Sequence, residues 1–179
     1  IASLDSVADA QQAEHLIGMA LDTWGRLDVL VNVAGILRDR MIFNMSHEEW
    51  DAVIAVHLKG HYNTIKPAAV LMRQQRYGRI INFSSSSGTI GNTGQFNYGA
   101  AKSGIAGMTR VLARDLGRYG VTVNGIAPVA KTRMTEGAFD TSAMALPEER
   151  CGTCTRSIAV SSLSSSMVRC MALPEPGVA

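Results

Sequence analysis

Three short apolar runs rich in β-forming residues, Asp28 to Val33, Arg79 to Phe83 and Val121 to Ile126, are separated by stretches long enough for helices. This alternation constrains the fold more than any other feature. Strands joined through helices run parallel, their crossovers are right-handed, and the expected class is α/β: a doubly wound parallel sheet with helices on both faces. The first run lacks polar alternation, as a strand buried on both sides does.

The intervening stretches carry helical punctuation. Ala13, Ile17, Ala20 and Trp24 recur at helical spacing and predict one buried helix face, with Ser6 and Asp9 at its start and Gly25 at its end. Ser46-His47-Glu48-Glu49 reads as a capping box, and the pattern continues through Trp50, Val53 and Ile54 to Met72, with a break near Gly60 and a stop at Gly78. A loop dense in serine and glycine spans Ser84 to Gly94, and a long helix follows from about Tyr98 to Tyr119. The methionines and Trp50 read as core.

A chain of 179 residues makes one domain with a sizeable core. Its net charge of +2 comes from 17 basic and 15 acidic residues without a run, so no footprint for nucleic acid or an anionic membrane is expected and the partner is a small molecule. No apolar run approaches the roughly 18 residues of a membrane span and no signal peptide is recognisable, so a cytoplasmic or organelle-matrix location is expected. Cys151, Cys154 and Cys170 are an odd number and no disulfide framework. One CxxC, with no second pair and no histidine after His61, predicts no metal site.

In an open parallel sheet, ligands collect beyond the carboxyl ends of the strands. Here those ends read Asn32-Val33-Ala34-Gly35, Ser84-Ser85-Ser86-Ser87-Gly88 and Ala127-Pro128-Val129-Ala130-Lys131-Thr132, small residues that let a ligand approach the backbone. Tyr98 and Lys102, four apart at a helix start, project the same way. A phenol is a poor acid or base near neutrality, but an ammonium and a helix N-terminus beside it are expected to lower its pKa, which makes the pair an acid/base for an alcohol and a carbonyl.

Asn32-Val33-Ala34-Gly35, Ser85 thirteen positions before Tyr98, Tyr98-Gly99-Ala100-Ala101-Lys102 and Asn124-Gly125-Ile126-Ala127-Pro128 together resemble the classical short-chain dehydrogenase/reductase family over about residues 1 to 140. The resemblance implies that Tyr98 is the acid/base, that Lys102 tunes it and holds the nicotinamide ribose, and that Ser85 bonds the substrate oxygen. It implies that Asn32, Ala34 and Gly35 frame the adenosine side of the cofactor and the sheet centre, and that Pro128 and Thr132 flank the nicotinamide. The family's fourth catalytic position, usually asparagine, falls on His57, whose imidazole would hold the relay water. Ala34 to Arg40, Val56 to Gly60, Gly91 to Gln95 and Arg133 to Thr135 look like the (3R)-hydroxyacyl-CoA dehydrogenase part of multifunctional β-oxidation enzymes. This implies NAD or NADP, with NAD favoured, and oxidation of a 3-hydroxyacyl thioester. Gly99, Ala100, Ser103 and Gly107 suit close contact between helices, and similar proteins form homo-oligomers through the two long helices.

Departures from the family pattern are Val33, Val129 and the lack of a glycine-rich pyrophosphate turn. By resemblance Ile1 falls just after a third strand, so residues 1–150 are expected to be the C-terminal part of a Rossmann-type domain. The edge of its first strand would lie open, cofactor binding would be poor and aggregation would follow. Residues 151–179 show no helical or strand period and are expected to replace the family's own C-terminus, through a frameshift or a sequence error. A non-catalytic fragment serving as an oligomerising or interaction module is the alternative reading.

Overall fold

The computed structural model of the chain describes residues 1–128 and 169–171. Its order is α1 (Ala10–Trp24), β1 (Val29–Asn32), α2 (His47–Ile54), a π-helical turn (Ala55–Lys59), α3 (Gly60–Gln75), β2 (Gly78–Phe83), α4 (Phe96–Gly117), β3 (Val121–Ile126) and β4 (Arg169–Met171), with single 3-10 turns at Ile42–Asn44 and Ser86–Gly88. The strands lie in the order β3-β2-β1-β4; β1, β2 and β3 are parallel, with Leu30 opposite Ile80 and Ile80 opposite Val123.

The Rossmann-like α/β class is borne out. Of the two helical layers expected, one is present among the described residues. Two right-handed crossovers that step the same way along the sheet put both connecting helices on the same side. Ile17 and Ala20 of α1, Ile65, Ala68 and Met72 of α3 and Leu116 of α4 share one core with Leu30, Ile80, Val121 and Val123. On the other side Val29, Val31, Ile81 and Phe83 are half-buried.

Asp9 caps α1 by accepting from the amides of Gln11 and Gln12, both at 2.9 Å, and Gly25 closes it through a bond to the Leu21 carbonyl. The face predicted to be buried is buried at Ala13, Ile17 and Ala20, but Trp24 is 46% exposed because the helix ends there, beyond the core. The capping box is complete: Glu49 N–H donates to Ser46 Oγ at 3.2 Å and Ser46 N–H to Glu49 Oε2 at 3.0 Å.

The second helical stretch is interrupted earlier than Gly60 and in another way. The π turn at Ala55–Lys59 widens the helix by one residue without breaking it. Nor does Gly78 end it; Arg76 does, in the left-handed conformation at φ 57°. The edge expected to lie open on β1 carries β4, antiparallel, with Leu30 opposite Cys170. The rest of residues 129–179, with the CxxC and Thr132, lies outside the described residues.

Candidate active site

The loop after β2 is drawn tightly onto α4. Ser84 Oγ donates to the Lys102 carbonyl at 2.8 Å, and the Ser103 hydroxyl donates to the Gly88 carbonyl. A Cβ at Gly88 would stand 2.7 Å from the backbone of Lys102 and Ser103, so only glycine admits this approach. The loop's 3-10 turn is capped by Ser85, whose Oγ accepts from Ser87 N–H at 3.2 Å.

These contacts bring together the three residues singled out in the sequence. Ser85 lies near enough to Tyr98 for its hydroxyl to lower the pKa of the phenol. The Nζ of Lys102 lies 5.4 Å from the centre of the Tyr98 ring and donates to the Phe83 carbonyl at 2.5 Å. Lys102 is 3% exposed and has no carboxylate partner; burial pushes its ammonium down to about 8.

The Tyr98 phenol corrects an expectation. Burial pushes its pKa up rather than down; the Ser85 hydrogen bond opposes this, and the negative charge of Asp39 adds to it. An ammonium bonded to a carbonyl in a dry site does not outweigh desolvation of the phenolate. The group is therefore a protonated phenol at neutral pH, ready to donate.

His57 sits in the π turn, is 1% exposed and packs edge-on against Tyr98. Its ring reaches the loop after β1, where a Cβ on Gly35 would stand 2.3 Å from His57 Cε1. Ile36 N–H donates to His57 Nε2 at 3.0 Å, and the Ile36 carbonyl lies 2.8 Å from the same nitrogen. Burial first, then the Lys102 charge, pushes the imidazole down to about 4, so it is neutral, and Nδ1 has no protein partner.

Below the site a buried polar chain ties four elements together. Thr64 Oγ1 donates to Asn32 Oδ1 at 2.8 Å, Asn32 Nδ2 to Asn82 Oδ1 at 3.0 Å, Asn82 Nδ2 to Thr109 Oγ1 at 3.0 Å, and Thr109 Oγ1 to the Ile105 carbonyl at 2.8 Å. The Asn32 amide is thereby spent on holding the sheet centre. Ala34 packs against Val7, Asn32, Val56, Gly60 and His61 with no room for a water between them. Pro128 is exposed at the end of β3.

Sequence reasoning missed Asn97 and Gln95. Asn97 is fully buried; its Nδ2 lies 3.1 Å from the carbonyls of Arg38 and Glu49, and its Oδ1 accepts from Tyr98 N–H at 2.7 Å. Gln95 accepts from Ser87 Oγ at 2.8 Å and donates to Asp39 at 2.9 Å. Their one signal was two side-chain amides within the three residues before Tyr98. His61, also missed, lies one helical turn beyond His57.

A nicotinamide cofactor and a hydroxyl or carbonyl substrate are compatible with these residues: a buried ammonium, and a phenol whose pKa the nearby serine hydroxyl lowers. Among the described residues no helix is long and apolar enough to cross a membrane.

Comparison with known proteins accords with this geometry. A family model described as short chain dehydrogenase matches residues 2–143. The chain is 47% identical over 147 residues to the hydroxyacyl-CoA dehydrogenase ChsB1 of Mycobacterium tuberculosis, covering 78% of this chain and 46% of that protein. It is 43% identical over 146 residues to the peroxisomal hydratase-dehydrogenase-epimerase of Neurospora crassa (82% of this chain, 16% of that one). It is 47% identical to a 3-oxoacyl-acyl-carrier-protein reductase of Synechocystis over 137 residues, 76% of this chain and 56% of that one. The crystal structure of a short chain dehydrogenase from Mycobacterium avium superposes with a TM-score of 0.70 at 57% identity, covering 73% of this chain and 48% of that one. The chain thus spans about half the length, or less, of the relatives it matches.

Proposed function

The chain belongs to the short-chain dehydrogenase family, oxidoreductases that bind NAD(P), and we propose that Tyr98, Lys102 and Ser85 form its proton-handling centre, with His57 beside them. The substrate class is a 3-hydroxyacyl thioester or its 3-oxo counterpart. Relatives whose names carry hydroxyacyl-CoA and 3-oxoacyl chemistry support it, as does the likeness of the loop after β1. The same resemblance favours NAD over NADP. The observation that carries the reading is the buried Lys102 ammonium 5.4 Å from the centre of the Tyr98 ring, with the Ser85 hydroxyl near enough to the phenol to lower its pKa.

The bound nicotinamide supplies the hydride acceptor or donor. In reduction, Tyr98 gives its proton to the substrate oxygen while the Ser85 hydroxyl donates to that oxygen as charge builds on it. In oxidation, the phenolate takes the proton from the substrate hydroxyl, and the Lys102 ammonium stabilises that phenolate. Neutral His57 offers Nδ1 as the one polar ring atom left for a water beside Tyr98. Ala34, Gly35 and Pro128 would border the cofactor, Asn32 would support it from beneath, and Thr132 would follow Pro128 along the nicotinamide.

The test is an assay of the chain with a 3-hydroxyacyl-CoA and NAD, followed by nicotinamide absorbance. Slow turnover is expected at high NAD, because the sequence holds no glycine-rich turn for the pyrophosphate, with Tyr98→Phe slower still by about 10²–10⁴-fold. Turnover that survives Tyr98→Phe contradicts the reading. A second reading, a non-catalytic module that forms homo-oligomers through α3 and α4, is favoured by exposed Val70 and Val111 on those helices. It predicts a folded, multimeric chain without turnover.

A further inference from the structure

Two imidazoles lie buried one helical turn apart, and the mechanism above uses only one. His61 is 3% exposed, its Nδ1 is 2.7 Å from the His57 carbonyl, and its Nε2 has no partner. A carbonyl only accepts, so Nδ1 carries the proton and Nε2 is bare. Burial, and after it the Lys102 charge, pushes the group down to about 3 against the opposing pull of the His57 and Asn32 backbone, which keeps it neutral. A leucine in this position would fill the space among Val7, Ala34 and Val56 without burying an unpaired nitrogen. Packing alone therefore does not account for an imidazole.

The His57 carbonyl belongs to the π turn, whose closing residue Gly60 sends its N–H to both Ala55 and His57 carbonyls. Wide turns inside helices are rare and persist where something holds them. We infer that His61 is a positioning residue for the active site: its Nδ1–H, bonded to the His57 carbonyl, holds the π turn that carries the His57 ring against Gly35 and Tyr98. Without that donor the turn relaxes toward α-helical spacing and rotates His57 away from the loop after β1. The inference builds on the proposed site, but its geometry stands without turnover.

Long-range proton–nitrogen correlation spectra of the chain read the tautomers directly. The expected result is a protonated Nδ1 and bare Nε2 at His61; the opposite tautomer overturns the inference and needs no variant. The ring protons of His57, whose ring centre lies 5.1 Å from that of Tyr98, report whether the turn is intact. In His61→Leu they are expected to lose the Tyr98 ring-current shift, and in His61→Asn, whose amide supplies a donor near the place of Nδ1–H, to keep it. A His57 signal unmoved by His61→Leu, or lost equally in both variants, overturns the inference. Failure of the dehydrogenase reading shows separately, as turnover that survives Tyr98→Phe.

Discussion

The imidazole of His57 stands perpendicular to the phenol ring of Tyr98, their centres 5.1 Å apart. Neither ring belongs to an ion pair, and the nearest ammonium, Lys102, is itself buried and bonded to a carbonyl. The site is a largely buried cluster, open on the side of Tyr98 and Ser85, in which burial pushes the phenol up and the ammonium and imidazole down.

Lys102→Met is expected to stabilise the chain while abolishing turnover. Burial holds the ammonium down to about 8, which at neutral pH corresponds to a cost on the order of 3 kcal/mol, offset in part by the bond to Phe83. Urea unfolding at neutral pH should show a higher midpoint for the variant; a midpoint lowered by a comparable amount would mean that the ammonium is a structural asset.

Oxidation and reduction should depend on pH in opposite directions. Because the phenol is pushed up, alcohol oxidation should accelerate with rising pH above neutrality as phenolate appears, while carbonyl reduction should be flat and then fall. Initial rates in both directions check this, and an oxidation rate that declines over the same range would refute it.

The chain should lose stability on acidification between pH 6.5 and about 4. His57 titrates at about 4 when folded and near 6.5 when unfolded, so within that window the unfolded state binds more protons and stability falls as pH falls. The loss is on the order of 3 kcal/mol for His57 alone. Urea midpoints at neutral pH and at pH 5 measure it, and His57→Asn should shrink the difference; an equal difference in the variant would remove His57 as its source.

Gly35→Ala places a methyl 2.3 Å from His57 Cε1 and is expected to cost about 1–3 kcal/mol. The signature is coupling: in a His57→Ala background the same change should cost little. Additive effects in a double-mutant cycle would show that the two positions do not meet.

Asn97→Asp keeps the acceptor for Tyr98 N–H and removes both donors, leaving the carbonyls of Arg38 and Glu49 facing a carboxylate. A loss of about 2–4 kcal/mol is expected, with weaker amide protection at the start of α4. Unchanged hydrogen exchange there would argue against Asn97 as the tie between that helix and the loop after β1.

The class of fold, the parallel order of three strands, both helix caps at Asp9 and Ser46 and the meeting of Ser85, Tyr98 and Lys102 were all legible in the linear chain. All but Ser85, which only the family resemblance put beside Tyr98, rest on local rules: apolar runs, capping chemistry and a four-residue helical offset, each satisfied by neighbours in sequence. Three matters were decided only when distant segments packed. Val53 to Met72 has no local marker for a π turn, because the His57 ring is held by Ile36, 21 residues away. The direction of the Tyr98 shift depends on how much water the surrounding elements exclude, which spacing to Lys102 cannot express. Asn32, Asn82, Thr64 and Thr109 look like unrelated polar residues until the sheet aligns them into one chain of hydrogen bonds. Local chemistry is written in adjacent residues, whereas burial and buried polar pairing are properties of the packed whole.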